Sequence, residues 1–271
     1  KRECLARGFD EEVLAVIPNG VDQDIPFHED EVDQSSIERF EKIMEDYDNI
    51  VVGIGRPVKR KGFGWFIENV LADLPKRTAF VLVSPYKPPG LFRNVIFELL
   101  PKSLRYEIDL FLGFPTDQAL LDSIDEYGNY PFHWFKNKDF QTLQYIVRNS
   151  DLMVMPNIKE DGDAEGFGLV ALEASVMSKV VMASYMDGIP DAIHHERNGY
   201  LLPASNPVIW SIVIHSYFEM EDADRRKLEQ TFHNYTIETF SWSRMVDNYY
   251  DLFMELTKSG KGDNELISRA S

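Results

Sequence analysis

The sequence predicts an α/β protein built on a Rossmann-like, doubly wound parallel sheet with C-terminal helices. Short apolar segments alternate with longer amphipathic segments along most of the 271 residues, as strands and helices do in such domains. The first apolar segments are rich in Val, Ile and Leu with little polar alternation, which is expected where helices cover both faces of a sheet. Beyond residue 207 the strand pattern stops.

Seven segments are predicted as strands because each is a short apolar run between turn-forming or polar residues. They are residues 13–17, 50–54, 79–83, 108–112, 152–155, 180–183 and 200–202. Helices are predicted between them from apolar periodicity, and Ser35 and Ser36 are expected to cap the first. The predicted helices are residues 37–47, 63–74, 91–105, 117–127, 139–149, 168–177, 189–196, 208–220, 221–234 and 243–258.

Four regions are expected along the chain. Residues 1–22 form a leading segment with the first strand, 23–206 the Rossmann-like domain, 207–258 the C-terminal helices, and 259–271 a polar tail that frays. Residues 125–138 interrupt the domain with aromatic side chains among Gly, Asn and Pro. We predict an inserted aromatic loop there, which covers its own apolar cluster or presents a surface to a partner or substrate.

Composition and charge exclude several classes of protein. Hydrophobic residues make up 44% and charged residues 27% of the chain, values typical of a folded globular protein. There are 28 Lys and Arg residues against 45 Asp and Glu residues, a formal charge of −17 that argues against nucleic acid as a partner. The single cysteine, Cys4, excludes an internal disulfide framework and a cysteine-based zinc site.

No membrane span or signal peptide is expected, because no apolar run approaches ~18 residues and no leader pattern opens the chain. Together with the cysteine content, this predicts a cytoplasmic protein. The first residue is Lys1 rather than Met, so we expect a processed N-terminus or a piece of a longer protein.

The first candidate site is residues 53–62, a glycine- and cation-rich segment between a predicted strand and a predicted helix. Glycines such as Gly55 let the backbone approach a ligand, and a helix start offers unpaired N–H groups to an anion. The spacing fits neither the dinucleotide fingerprint nor a P-loop. We predict a phosphate clamp at the carboxyl end of a strand, with a plain basic surface loop as the alternative. Its cations are Arg56, Lys59, Arg60 and Lys61.

The second candidate site is residues 160–174, which again connect a strand to a helix. A calcium loop is disfavoured, because its twelfth position is Leu172 and a strand precedes it. Glu165 and Glu173 are expected to flank one crevice, with helix-start N–H groups suited to a diphosphate between them. Because a carboxylate beside phosphate is electrostatically unfavourable, we expect both acids to face the hydroxyls of a sugar.

Six segments in a fixed order carry a resemblance to a known family. The chain resembles the C-terminal, nucleotide-sugar-binding half of a retaining GT-B glycosyltransferase of family four (glycosyl transferases group 1). The segments are VIPNGVD (16–22), GRPVKRKG (55–62), FLGF (111–114), SDLMVMPN (150–157), EGFGLVALEA (165–174) and GIPDAIHHERNGYLL (188–202).

The resemblance implies roles for single residues. Arg56 and Lys61 match the basic pair that holds the donor diphosphate and stabilises the leaving phosphate. Glu165 matches the acid that reads the donor hexose, and Glu173 matches the acid that binds the ribose. Phe114 matches the position where backbone groups read the base. Phe167, Gly168 and Leu169 match the loop whose amides meet sugar and phosphate, and Gly55, Gly166 and Val170 are assigned to the same donor-binding set.

The resemblance also implies an activity. It implies transfer of a hexose from a UDP-, GDP- or ADP-linked donor, with retention of configuration and without an obligatory metal. Only about fifteen residues precede PNGVD, the family's interdomain hinge, so an N-terminal domain that binds a sugar or lipid-linked acceptor is expected to be missing. The isolated chain is then expected to bind donor but transfer sugar poorly, and the full-length protein is compatible with a peripheral place at the membrane.

Two departures and two alternatives stay open. Residues 84–89 replace the family's glycine-rich turn, and the insertion 125–138 would alter the rim near the base. One alternative function is an inactive nucleotide-binding or scaffold protein of the same fold. The other is a sugar phosphorylase that uses pyridoxal phosphate, for which Lys179 is the nearest candidate lysine.

Overall fold

The computed structural model describes residues 2–87, 116–126 and 131–268, together with five single residues between the first two ranges. The single residues are Pro101, Leu104, Ile108, Phe111 and Phe114. The strands are β1 (Asn49–Ile54), β2 (Thr78–Ser84), β3 (Phe132–Lys136), β4 (Leu152–Met155), β5 (Val180–Ser184) and β6 (Tyr200–Leu202).

Helices connect these strands and then finish the chain. Short 3-10 turns also occur, at Lys59–Lys61 and Leu71–Asp73 among others. The α-helices are α1 (Arg2–Ala6), α2 (Gln34–Asp46), α3 (Phe63–Asn69), α4 (Gln118–Glu126), α5 (Phe140–Arg148), α6 (Leu169–Val176), α7 (Ile189–Ala192), α8 (Pro207–Phe218), α9 (Asp222–Thr239) and α10 (Trp242–Ser268).

The six strands form one fully parallel sheet in the order β3-β2-β1-β4-β5-β6. This is the doubly wound Rossmann order, so the predicted fold class is confirmed. Apolar layers cover both faces: Phe40 of α2 and Tyr145 of α5 lie in one layer, and Phe66 of α3 and Trp210 of α8 lie in the other. Every residue of β2 is buried, which explains its unbroken apolar sequence.

The strand order places a crevice in the middle of the sheet. The chain runs outward from β1 through β2 to β3, and then returns to β4 on the other side of β1. At such a switch point the loops that leave the two central strands diverge, and their carboxyl ends bound a cleft for ligands. The loops concerned are residues 55–62 after β1 and 156–168 after β4, the two segments singled out in the sequence.

The predicted strand at residues 13–17 is wrong. A 3-10 turn at Glu11–Val13 is followed by irregular chain, and Val13 and Val16 are 73% and 46% exposed. The apolar run therefore does not enter the sheet. The first strand of the sheet is therefore not in residues 1–22, as predicted, but at Asn49–Ile54.

The strand beside β2 was also misplaced. Of the predicted strand 108–112, Ile108 and Phe111 are described and are helical, and the rest lies outside the described residues. The position is taken by β3, which lies inside the stretch predicted to be an aromatic loop. Its register with β2 runs from Phe80↔Phe132 to Ser84↔Lys136. This segment is a strand because its apolar side chains alternate between the two faces of the sheet: Phe132 and Trp134 pack on one face and Phe135 on the other.

Several helix ends differ from prediction. The first predicted helix begins at Gln34, and the hydroxyls of Ser35 and Ser36 donate to the Asp33 carboxylate that precedes it. The predicted helix 189–196 stops at Ala192 because Ile193 is extended. The predicted helix 91–105 lies mostly outside the described residues. The tail from residue 259, expected to fray, is helical to Ser268, since no proline interrupts it and glycine costs a helix only about 1 kcal/mol.

Candidate functional site

Two glycines shape the loop after β1. Gly55 has φ +147°, and a Cβ there would meet the Lys61 side chain at 3.2 Å. Gly62 has φ +68° and ends the turn of Lys59–Lys61 in the left-handed region. A Cβ on Gly62 would lie 2.0 Å from the carbonyl oxygen of Pro156. Only glycine therefore allows the β1 loop to touch the β4 loop at this point.

Arg60 and Lys61 project from this turn into the space between the loops. Each residue is only 8% exposed, although each carries a charge. Buried cations need anionic partners, and the β4 loop supplies them. Lys61 Nζ lies 2.6 Å from Glu165 Oε2, Arg60 Nη1 lies 2.6 Å from the same oxygen, and Arg60 Nε lies 2.8 Å from Asp163 Oδ1.

Glu165 is held by one of its two oxygens. Oε2 accepts hydrogen bonds from Lys61, Arg60 and, at 3.3 Å, Asn157 Nδ2. Oε1 has no hydrogen-bond partner within the described part of the chain. Burial alone would raise the pKa of Glu165, but the neighbouring Lys61 and Arg60 lower this pKa below its ordinary value. The carboxylate is therefore ionised at neutral pH, with one oxygen open.

The β4 loop is fixed to its surroundings on both sides. On the β1 side, Ile158 N donates to Arg60 O at 3.0 Å, and Lys59 Nζ lies 2.7 Å from Glu160. On the β5 side, Glu165 N donates to Asp187 Oδ2 at 3.1 Å and Gly188 N donates to Glu165 O at 3.0 Å. The backbone that carries Glu165 is thus held by bonds from both neighbouring loops.

The start of α6 offers free backbone donors beside this cluster. Gly168 precedes the helix with φ +93°, and no side chain caps the helix start. The N–H groups of Leu169 and Val170 have no partner among the described residues. Phe167 packs edge-on against Phe240, and Gly166 is exposed. Unpaired N–H groups and the helix dipole favour an anion at this position.

Glu173 lies in a cavity of about 180 Å³ rather than in the ion-pair cluster. Burial, and then the negative charge of Asp22, raise the pKa of Glu173. Because α5 and α6 both begin at the carboxyl edge of the sheet, the cavity opens on the same edge as the two loops. Its walls are Gly20, Val21, Asp22, Ile25, Pro26, Phe140, Leu169, Glu173 and Trp242. The two acids were expected to flank one crevice, but they occupy different parts of this edge: Glu165 lies in the ion-pair cluster and Glu173 in the cavity.

Two of the predicted site residues stand apart from this cluster. Arg56 is exposed on the β1 loop, without an ion-pair partner in the described ranges. Burial is the main cause that lowers the pKa of Lys61, and the positive charge of Arg56 lowers this pKa further. Phe114 is buried, with Lys87 Nζ 4.7 Å from the centre of its ring. The strand expected before Phe114 is not found at Ile108 and Phe111, which are helical, while the base-reading role that the resemblance implies for Phe114 stays a prediction.

Three residues of the cluster had no individual role in the sequence-based prediction. Arg60 is one of four cations in the predicted clamp, and Asp163 belongs to the segment 160–174, for which a calcium loop is disfavoured. Asn157, which is 1% exposed, ended a matching segment without an assigned role. The charge run was the available signal for Arg60, since nothing in the sequence says which of four adjacent cations points inward.

The described residues contain no group of three or more His, Cys, Asp or Glu side chains placed to hold a metal ion. No helix in the same ranges is long and apolar enough to cross a membrane.

A family model described as Glycosyl transferases group 1 matches residues 96–236. A D-inositol 3-phosphate glycosyltransferase of Corynebacterium efficiens is 24% identical over 190 residues, which cover 67% of this chain and 43% of that protein. Anabaena HepE, solved in complex with UDP and glucose, has a TM-score of 0.61 at 18% identity, covering 92% of this chain and 59% of that one.

A third similar protein is the C-terminal domain of a glycosyl transferase group 1 family protein from Francisella tularensis. It has a TM-score of 0.56 at 18% identity, and the match covers 82% of this chain and 100% of that domain. These structural similarities show the fold. The chain spans less than half the length of the relatives it matches by sequence, at 22%, 43% and 47% of the first three.

Proposed function

Because the chain belongs to the glycosyl transferases group 1 family, we propose that it binds a nucleotide diphosphate sugar between the β1 and β4 loops and serves as the donor half of a sugar-transfer site. The observation that carries the proposal is the buried Lys61–Glu165 pair at the switch point of the sheet. It brings a cation for phosphate and an acid for sugar hydroxyls together where ligands bind in such folds.

The donor would lie along the edge of the sheet. Its diphosphate would meet Lys61, Arg56 and the free N–H groups at the start of α6, as charge and the helix dipole favour. Its hexose would meet Glu165 Oε1, and its ribose would meet Glu173 in the neighbouring cavity. We also assign backbone contacts with the donor to Gly55, Gly166, Phe167, Gly168, Leu169 and Val170. Two observations support this placement. These groups lie at one edge of the sheet, and Glu165 Oε1 and the N–H groups of Leu169 and Val170 are unpaired in the described residues.

The proposed reaction is hexose transfer with retention of configuration. As the glycosidic bond breaks, negative charge grows on the leaving diphosphate, and cations placed beside it lower the barrier. Lys61 and Arg56 would supply this stabilisation, so the chemistry does not require a metal ion. Glu165, ionised and close to the sugar, would also favour the positive charge that develops on the anomeric carbon.

We further propose that a second, N-terminal half completes the site and binds the acceptor, a sugar or a lipid-linked sugar. Two observations support this. The chain covers about three fifths of the length of HepE and a smaller share of its sequence relatives, and α10 presents an uncovered apolar stripe. The exposed members of the stripe are Trp242, Val246, Tyr249, Tyr250, Phe253 and Leu256. A stripe of this size on a helix indicates a surface that another domain covers. A cytoplasmic location stays a prediction.

The two alternative functions receive less support. Lys179, the lysine considered for a phosphorylase cofactor, directly precedes β5 and therefore lies at the amino edge of the sheet, opposite the crevice. An inactive scaffold has no reason to keep the buried Lys61–Glu165 ion pair in the crevice, with Arg56 exposed on the same loop and Glu173 in the neighbouring cavity. The geometry thus favours an active donor-binding half.

Calorimetric titration of the chain with UDP, GDP and ADP tests the proposal. We expect one of them to bind with micromolar affinity, and we expect UDP to do so because HepE binds UDP in the similar fold. The double variant Arg56→Ala, Lys61→Ala should lose this binding while keeping its melting temperature within a few degrees. Absence of binding to all three, in the folded protein, would contradict the proposal.

A further inference from the structure

We propose that Arg60 is a positioning residue for the donor sugar: it holds the Glu165 carboxylate in the orientation that reads the hexose, and so leaves Lys61 available to the diphosphate. This inference rests on the proposed function and deepens it. It gives the two adjacent cations of the β1 loop different tasks, one toward the sugar-reading acid and one toward phosphate.

Two nitrogens of the Arg60 guanidinium bind carboxylates of the β4 loop. Its Nε donates to Asp163 Oδ1 at 2.8 Å and its Nη1 donates to Glu165 Oε2 at 2.6 Å. The three side chains are 10%, 13% and 12% exposed. The planar guanidinium fixes the directions of both bonds, so the two acids are held relative to each other. Its Nε and Nη1 are therefore directed at the β4 loop and are not available to a phosphate.

The backbone of Arg60 anchors the same loop. Its carbonyl oxygen accepts from Ile158 N at 3.0 Å, close to where the chain leaves β4. The segment from Ile158 to Glu165 is therefore tied to Arg60 at its start by the backbone and at its end by the side chain. Two attachments of one loop to one residue define the position of Glu165 more closely than an ion pair alone.

The charges around Glu165 explain why a second cation is needed. Without ligand, Oε2 is neutralised by both Lys61 and Arg60. A bound diphosphate would compete with Glu165 for Lys61, and an uncompensated buried carboxylate is costly. Arg60 would keep Glu165 paired while Lys61 turns to phosphate. Three donors on Oε2 also leave Oε1 as the oxygen that accepts from a sugar hydroxyl.

The test compares how UDP and UDP-glucose bind to Arg60→Gln, measured by calorimetry on the whole chain. In the unchanged chain, UDP-glucose should bind more tightly than UDP, and the ratio of the two dissociation constants measures the hexose contribution. In Arg60→Gln we expect UDP affinity to change less than threefold and the hexose contribution to fall about tenfold, the size of a lost charged hydrogen bond. Lys42→Gln, which removes an exposed cation on α2, should change neither value.

Two further variants separate positioning from a general structural effect. Arg60→Lys keeps a positive charge beside Glu165 and should restore part of the hexose contribution. Asp163→Asn keeps Arg60 and Glu165 but weakens the hold on the guanidinium, and should reduce the hexose contribution without loss of UDP binding. It also provides the test if Arg60→Gln does not fold, as judged by circular dichroism.

The outcomes distinguish this inference from the proposed function. If the unchanged chain does not bind UDP, GDP or ADP, the proposed function fails and the inference fails with it. If UDP binds but Arg60→Gln loses UDP as strongly as Lys61→Ala does, Arg60 is a phosphate ligand and the inference is overturned. It is also overturned if glucose adds nothing in the unchanged chain, or if its contribution survives in both Arg60→Gln and Asp163→Asn.

Discussion

Lys61 Nζ lies 2.6 Å from Glu165 Oε2, and this contact joins the two loops that leave the central strands of the sheet. Both side chains are about nine-tenths buried, with 11% and 12% exposed. Burial lowers the pKa of Lys61, and the negative charge of Glu165 opposes that effect. The two residues therefore stabilise each other's charged forms against the effect of burial.

Lys61→Ala should weaken binding of the nucleoside diphosphate by about 10- to 100-fold, since a hydrogen bond to a charged group contributes roughly 1.5–3 kcal/mol. The matched control is Lys59→Ala, on the same turn but pairing with Glu160 at the surface, for which we expect less than a twofold change. Calorimetry at one ionic strength measures both. Equal losses in the two variants would show that the loop attracts phosphate only by its overall charge.

Gly62→Ala should destabilise the fold by at least about 3 kcal/mol, because it adds a clash with Pro156 O to the strain of a left-handed backbone. Gly162→Ala is the matched control: its φ is +83°, but a Cβ there meets nothing within 4 Å, so about 1 kcal/mol is expected. Thermal unfolding should show melting temperatures lowered by about 8 °C and about 3 °C. Similar shifts would mean that the two loops are not in contact at Gly62.

Glu173→Gln should raise the melting temperature at pH 7.5 and have little effect near pH 4. Burial, followed by the charge of Asp22, raises the pKa of Glu173 above its value in the unfolded chain. The folded state then binds the proton more tightly, so its stability falls as pH rises from the unfolded pKa through the folded one. The neutral amide removes that loss. Melting curves from pH 4 to 8 test this, with the exposed Glu41→Gln as a control that should not shift.

The same substitution should weaken nucleoside diphosphate binding by roughly 3- to 10-fold, the range for one lost hydrogen bond. A gain in stability together with a loss of affinity would indicate a residue kept for binding rather than for folding. An unchanged affinity would contradict the ribose role of Glu173.

Trp134→Ala should cost about 3–5 kcal/mol of stability if β3 is an integral strand. Trp134 is 7% exposed, its indole N–H donates to Ser84 Oγ at 2.7 Å, and it packs against Tyr86. Lys136→Ala, at the end of the same strand, removes only an exposed cation over two aromatic rings, for which about 1 kcal/mol is expected. Denaturant unfolding measures both losses. Two small losses would instead support the aromatic loop that the sequence predicts.

The sequence predicted the parts of the fold that depend on local pattern. β1, β2, β4 and β5 were found because each is a nearly unbroken apolar run, the mark of a strand covered on both faces. Since strands that alternate with helices form a parallel sheet, the fold class could be predicted as well. The two candidate loops were found because both lie directly after such strands.

The parts that were missed depend on tertiary contacts. β3 contains His133 and three aromatic residues among turn formers, so its strand character appears only once Phe80 and Trp134 share one apolar layer. Residues 13–17 have a strand-like composition but no neighbour to pair with. The inward direction of Arg60 depends on Asp163, which is 103 positions away in the chain. No local pattern carries that information.

The most direct test of the proposed donor site is a crystal structure of the chain with the nucleoside diphosphate that binds it most tightly. We expect the diphosphate within 3.5 Å of Lys61 Nζ and of the N–H groups of Leu169 or Val170, with the ribose toward Glu173. A diphosphate bound elsewhere, for example in the cavity of about 400 Å³ lined by Arg197, Asn234 and Tyr235, would contradict the claim that the β1 and β4 loops form the donor site.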